Sequence, residues 1–136
     1  MRLIFLHFCC VLSAALRPAR VHDRMVDDTT PNEALLFDQD HLARYIGSDD
    51  GLRTELLGLM REQAKRCLDL MANANDRSSW RIAAHTLKGA ARGVGAFALA
   101  DACDAAEEMP EESWPCATLM VGQKITETEM AIAQTA

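Results

Sequence analysis

The chain has 136 residues, a formal net charge of -6 and a sequence pI near 5.1. That length fits one domain with a proper core, and the acidity excludes a protein that grips nucleic acid through a broad basic face. Hydrophobic residues make up 49% of the chain and aromatics only 5%, a balance rich in alanine and leucine that favours helices over a sheet.

The first residues differ from the rest. Arg2 precedes an apolar run from Leu3 to Leu16 with Ser13-Ala14-Ala15 near its end, the outline of a secretory signal and too short for a membrane span. Met25, ahead of Asp27-Asp28, offers another start, and that reading is preferred to export. Residues 1–36 are read as an N-terminal extension and linker, and residues 37–136 as the folded domain.

Asp38 caps a short helix that runs to Ile46, and Gly47 closes it. Asp49-Asp50-Gly51 leads into a long helix to about Ala72, with a buried stripe of Leu52, Leu56, Leu59, Met60, Cys67 and Met71. Asn73 to Asp76 make a tight turn. Asp76 or Ser78 caps the next helix, which runs to about Gly93, and Gly93 and Gly95 bracket a turn. A helix from about Phe97 to Met109 turns Leu99, Ala102, Cys103 and Ala106 inward, and Pro110 ends it. Ser113 and Pro115 are helix-start residues. The last helix, about Ala117 to Ala133, buries Leu119, Val121, Ile125 and Ile132. Short connections make neighbours antiparallel. The expected fold is all-α, an up-down antiparallel four-helix bundle with a short N-terminal helix across one end.

The most informative stretch is Trp80 to Gly95, WRIAAHTLKGAARGVG. Wound as a helix, it places Trp80, Ala83, Leu87, Ala90, Ala91 and Val94 on one side. Arg81, His85, Lys88, Gly89 and Arg92 fall on the other. A solvated face is usually filled with good helix formers. A glycine there costs the helix roughly 1 kcal/mol relative to alanine, so its place beside a histidine asks for a reason. An imidazole is a good nucleophile near neutral pH and can accept a phosphoryl group on a ring nitrogen. The group brings close to two negative charges, and Lys88, one turn along the same face, is placed to neutralise them. Gly89 leaves room beside the ring for another protein's active site to close over it. Taken singly, each residue has a plainer reading: a surface histidine, a solvated lysine, a close helix contact.

His85-Thr86-Leu87-Lys88-Gly89-Ala90-Ala91, followed by Gly95-Ala96, resembles the signature of histidine phosphotransfer (HPt) domains. Asp50-Gly51-Leu52 and Glu55-Leu56-Leu57 are similar to the family's second helix, and Leu99-Ala100 and Cys103 through Glu107 to its fourth. The resemblance spans about residues 37–109 and reaches the last helix loosely. It implies a phosphocarrier in two-component signalling, not an enzyme. His85 would take a phosphoryl group from one receiver-domain aspartate and give it to another, with a hybrid histidine kinase upstream. Mg²⁺ would belong to the receiver, which supplies the carboxylates that hold it; the carrier needs no cofactor or metal of its own.

Arg81 and Arg92 would steer an acidic receiver, and Ile82, beside the histidine face, fits either a docking surface or the edge of the core. Glu107 falls where family members often carry a glutamine that hydrogen-bonds the histidine. A glutamate there could orient an unphosphorylated imidazole but would repel a phosphate, and the plainer reading is a surface charge. The five cysteines include no C-x-x-C pair, and His7, His22 and His41 have no ligand-like spacing. No glycine pattern matches a phosphate-cradling loop, so autonomous kinase activity is not expected. The implied protein is cytoplasmic and monomeric, and binds neither nucleic acid nor membrane. The alternatives are a helical adaptor that docks to a receiver or histidine kinase without carrying phosphate, and a dimeric kinase core lacking its ATP domain, which would be excluded by a monomeric mass.

Overall fold

The computed structural model describes residues 35–135. The apolar run after Arg2, the alternative start at Met25 and the linker up to residue 34 lie outside the described residues. Five α-helices follow one another: α1 (Gln39–Ile46), α2 (Asp50–Ala72), α3 (Arg77–Val94), α4 (Phe97–Glu107) and α5 (Trp114–Gln134). A 3₁₀ turn, Glu111–Ser113, leads into α5. Among the described residues there is no strand, so the expected all-α class holds.

Local chemistry starts the first three helices. Asp38, Asp49 and Asp76 each sit in extended backbone, and each carboxylate accepts a hydrogen bond from the backbone N–H three residues on: His41, Leu52 and Ser79. Each such cap is worth about 1 kcal/mol. α5 begins three residues earlier than the sequence suggests, at Trp114, with Pro115 in its first turn. Proline fits there because a first-turn N–H has no intrahelical partner to lose.

The stripe of α2 is Leu57, Met60, Ala64, Cys67 and Met71, an alternation of three and four residues that keeps one face inward. This corrects the expected stripe. Leu52 and Leu59 are exposed and Leu56 is only partly buried. Leucine outweighed Ala64 as a core signal in the sequence, yet the inward phase is fixed by the alternation that includes the alanine. In α3 the inward residues are Trp80, Ala83, Ala84, Leu87, Ala91 and Val94. Ala84 joins the expected set, and Ala90 is half-buried. α4 turns Leu99, Ala100, Ala102, Cys103 and Ala106 inward. In α5, Val121 and Ile132 are buried as expected and Ile125 packs against the core, but Leu119 is exposed.

α2 packs on α3 and α5, and α4 packs on α3 and α5, so the four long helices form a closed antiparallel square. α1 lies across one end. His41 packs edge-on against Phe97 at the start of α4, and Leu42 is buried. The backbone N–H of Asp38 donates to Gly95 O (2.8 Å), and that of Ala98 to Leu35 O (2.9 Å). At the same end Arg53 Nη2 donates to Thr135 Oγ1 (2.8 Å), tying the start of α2 to the end of α5.

Gly95 ends α3. Its φ of 91° is left-handed, and the next N–H, of Ala96, turns back to Ala91 O at 2.8 Å, closing the helix in the manner glycine favours. Gly93, expected in the turn, is inside the helix instead. A Cβ at Gly95 would stand 2.6 Å from Asp38 O, whereas one at Gly93 would meet nothing within 4 Å. Gly95→Ala is therefore expected to lose about 1–3 kcal/mol, and Gly93→Ala to gain about 0.5–1 kcal/mol. Urea unfolding of both variants checks the contrast, since equal shifts would contradict the turn geometry.

Candidate functional site

α3 carries the site on its outer side. His85 is midway along the helix, and its side chain is 72% exposed. The residues at its flanks in sequence, Ala83, Ala84 and Leu87, are buried, so the apolar stripe that docks α3 also aims the imidazole outward.

Glu107 is the last residue of α4, and its side chain is only 7% exposed. The surface-charge reading is thereby corrected. Glu107 Oε1 lies 2.8 Å from His85 Nδ1, and Oε2 accepts from Lys88 Nζ at 2.6 Å. A buried carboxylate needs such partners, because desolvation penalises its charge. Burial pushes the Glu107 carboxyl up, but the hydrogen bonds from Lys88 and His85 outweigh it and hold the group below the ordinary glutamate value. An ionised carboxylate only accepts, so Nδ1 of His85 carries the ring proton and donates it. In the neutral form of the ring, the other nitrogen, Nε2, then keeps its lone pair.

Lys88 is less open than the helical wheel suggests. Its side chain is 11% exposed, and its ammonium also donates to Asp104 Oδ1 at 3.1 Å. These bonds, to Glu107 first and Asp104 second, hold Lys88 above the ordinary lysine value. Asp104 was absent from the expected site. It lies one turn before Glu107 on α4; the three-residue spacing puts both carboxylates on one face, but only the packing of α4 on α3 sets that face against Lys88.

The remaining candidates surround this triad without joining it. Arg81 forms an exposed ion pair with Glu108 at 3.6 Å, a geometry of small energetic weight. Arg92 is exposed. Ile82 is 63% exposed, so it is a surface apolar residue, not the edge of the core. Gly89 is exposed, and a Cβ built there meets nothing within 4 Å. It serves no helix contact among the described residues. Among the described residues no cluster of histidine, cysteine, aspartate and glutamate could hold a metal ion, and no helix is long and apolar enough to cross a membrane.

The flank of the helical bundle thus presents an exposed histidine held by a buried carboxylate. The family model described as "Hpt domain" matches residues 52–130, and the chain belongs to that family. Comparison with curated proteins and with solved structures gave no match.

Removing the Lys88 ammonium would leave Glu107 Oε2 without its donor. Lys88→Met is expected to cost about 1–3 kcal/mol at neutral pH. Because the folded value of Glu107 is depressed, its contribution is fully present above the unfolded glutamate pKa of about 4.3. It is lost as pH falls through the folded value. The cost of Lys88→Met should therefore shrink as the pH falls through the depressed folded value of Glu107. Urea unfolding of wild type and variant at neutral and acid pH measures this; an equal cost at both would show that Lys88 acts by packing alone.

Proposed function

We propose that the protein carries a phosphoryl group on Nε2 of His85 in a phosphorelay, taking it from a receiver-domain aspartyl phosphate and passing it to a second receiver. One observation carries this reading: the His85 ring is exposed while its Nδ1–H is committed to a buried carboxylate 2.8 Å away. In the transfer, the Nε2 lone pair attacks phosphorus in line, an N–P bond forms, and the bond to the aspartate oxygen breaks. The aspartate leaves as a carboxylate. Nε2 carries no proton to lose, so no base has to remove one. Such transfers depend chiefly on positioning and charge neutralisation.

Each of the other residues then has a defined part. Glu107 holds the ring and its tautomer. Lys88 offsets the Glu107 charge, so that the anionic phosphoryl group does not meet an uncompensated carboxylate, and supplies positive charge one turn from the ring. Gly89 keeps the space beside the ring clear for the receiver, while Ile82, Arg81 and Arg92 form the surrounding docking surface. Mg²⁺ belongs to the receiver. The protein is a phosphocarrier acting in the cytoplasm as a monomer, downstream of a hybrid histidine kinase.

Incubation of the purified protein with phosphorylated receivers tests the reading. Label should move to the wild type, be lost in acid and survive base, as a phosphoramidate does. His85→Ala should abolish labelling and leave the bundle folded, at a stability cost of no more than about 1–3 kcal/mol for the lost donor to Glu107 Oε1. Label on the alanine variant would place the acceptor elsewhere, and receiver binding without any label would favour the adaptor reading. Gly89→Gln should stabilise the isolated protein by about 0.5 kcal/mol and slow transfer several-fold through a clash beside the ring. A destabilised variant with normal transfer would refute the docking part of Gly89.

A further inference from the structure

The placing of Glu107 is demanding. It stands at the last position of α4, where a helix frays most readily, yet one of its oxygens must meet His85 at 2.8 Å and the other Lys88 at 2.6 Å. α4 does little to fix its own end. It has no glycine cap there, no basic residue in its last turn, and no side-chain cap at its start. The last carbonyls of a helix lack regular intrahelical donors: Ala106 O takes a local N–H, of Met109 at 3.2 Å, and shorter bonds reach this end from elsewhere in the bundle. Trp80 Nε1 donates to Ala106 O at 2.7 Å, the carbonyl of the peptide unit that leads into Glu107. Arg77 Nη1 donates to Met109 O at 2.7 Å, just beyond. The Trp80 ring is fully buried and stacked on Trp114, with centroids 4.7 Å apart and planes 7° from parallel.

Trp80 and His85 belong to the same helix, about 7.5 Å apart along its axis. A closed frame results. α3 carries both residues, the indole N–H holds Ala106, and the Glu107 side chain returns to the imidazole. We infer that Trp80, seconded by Arg77, is a positioning residue for the phosphoryl acceptor: its grip on Ala106 sets the end of α4 so that Glu107 holds His85 with Nε2 free. The inference rests on the phosphocarrier reading for its effect on transfer, but not for its effect on the ring. A neutral imidazole in water favours the proton on Nε2, the tautomer in which that nitrogen has no lone pair to offer. The Glu107 contact reverses this preference, and Trp80 acts through Glu107.

Trp80→Phe removes the N–H and keeps a buried ring. With ¹⁵N-labelled histidine at about pH 9, where imidazole is neutral, long-range ¹H–¹⁵N spectra should show the Nδ1–H tautomer of His85 in wild type. They should show a shift towards Nε2–H in Trp80→Phe, and a smaller shift in the same direction in Arg77→Ala. The initial rate of phosphoryl transfer to Trp80→Phe should fall about tenfold. In a Glu107→Ala background, Trp80→Phe should alter neither tautomer nor rate further, because residues that act as one unit are not additive. A folded Trp80→Phe with the wild-type tautomer would overturn the inference, as would an equal slowing with and without Glu107, which a general loss of stability would produce. Should Trp80→Phe not fold, Arg77→Ala decides, since Arg77 is exposed: an unchanged tautomer there overturns it. If wild type accepts no phosphoryl group from any receiver, the phosphocarrier reading fails, while the tautomer comparison still decides the placing of Glu107.

Discussion

Glu107 is a single carboxylate shared between two residues one helical turn apart, and the site depends on that sharing. Buried without partners it would have to take up a proton or move. With His85 on one oxygen and Lys88 on the other, it stays ionised and fixes both. The spacing of three residues on α3 is what allows one carboxylate to reach both side chains. Asp104 adds a second acceptor for Lys88, but its side chain is about half exposed, so solvent screens much of its effect. The lysine's principal partner is Glu107.

Under the proposed function, the arrangement also answers the objection that a glutamate beside a phosphorylated histidine is electrostatically awkward. The charge of Glu107 is already matched by Lys88 before any phosphoryl group arrives. A lysine free in solvent would lend its charge to the phosphoryl group alone. A lysine tied to the carboxylate lends it to the site as a whole and adds stability to the fold. Stability and chemistry therefore share residues in this protein, and a substitution at Lys88 touches both.

The sequence carried the fold well where spacing and capping agree. The Asp38 cap, the start of α2 at Asp49-Asp50-Gly51, the start of α3 at Asp76 or Ser78, the short helix ending at Gly47 and the histidine helix were legible, because each rests on nearby residues. The phase of α2 was not. Leu52 and Leu59 are strong hydrophobes that stand exposed, while Ala64, ambiguous as a core signal, is buried completely. At the site, His85, Lys88 and Gly89 could be found from their spacing and from a family resemblance. Glu107 could be placed near them, but its burial could not be read, since that depends on where α4 ends against α3. Asp104 and the indole of Trp80 were missed for the same reason. Their parts arise from contacts between helices, 16 residues apart for Lys88 and Asp104 and 26 for Trp80 and Ala106, and no local pattern encodes such contacts.

The stacked tryptophans have an optical consequence. The chain contains two tryptophans, and both are in the one stack, nearly parallel at 4.7 Å. At that separation their transitions couple, so near-ultraviolet circular dichroism should be dominated by a paired signal instead of two independent chromophores. All of the protein's indole emission likewise originates beside the end of α4. The molecule thus contains its own spectroscopic gauge, located one peptide unit from the carboxylate that holds His85 and Lys88.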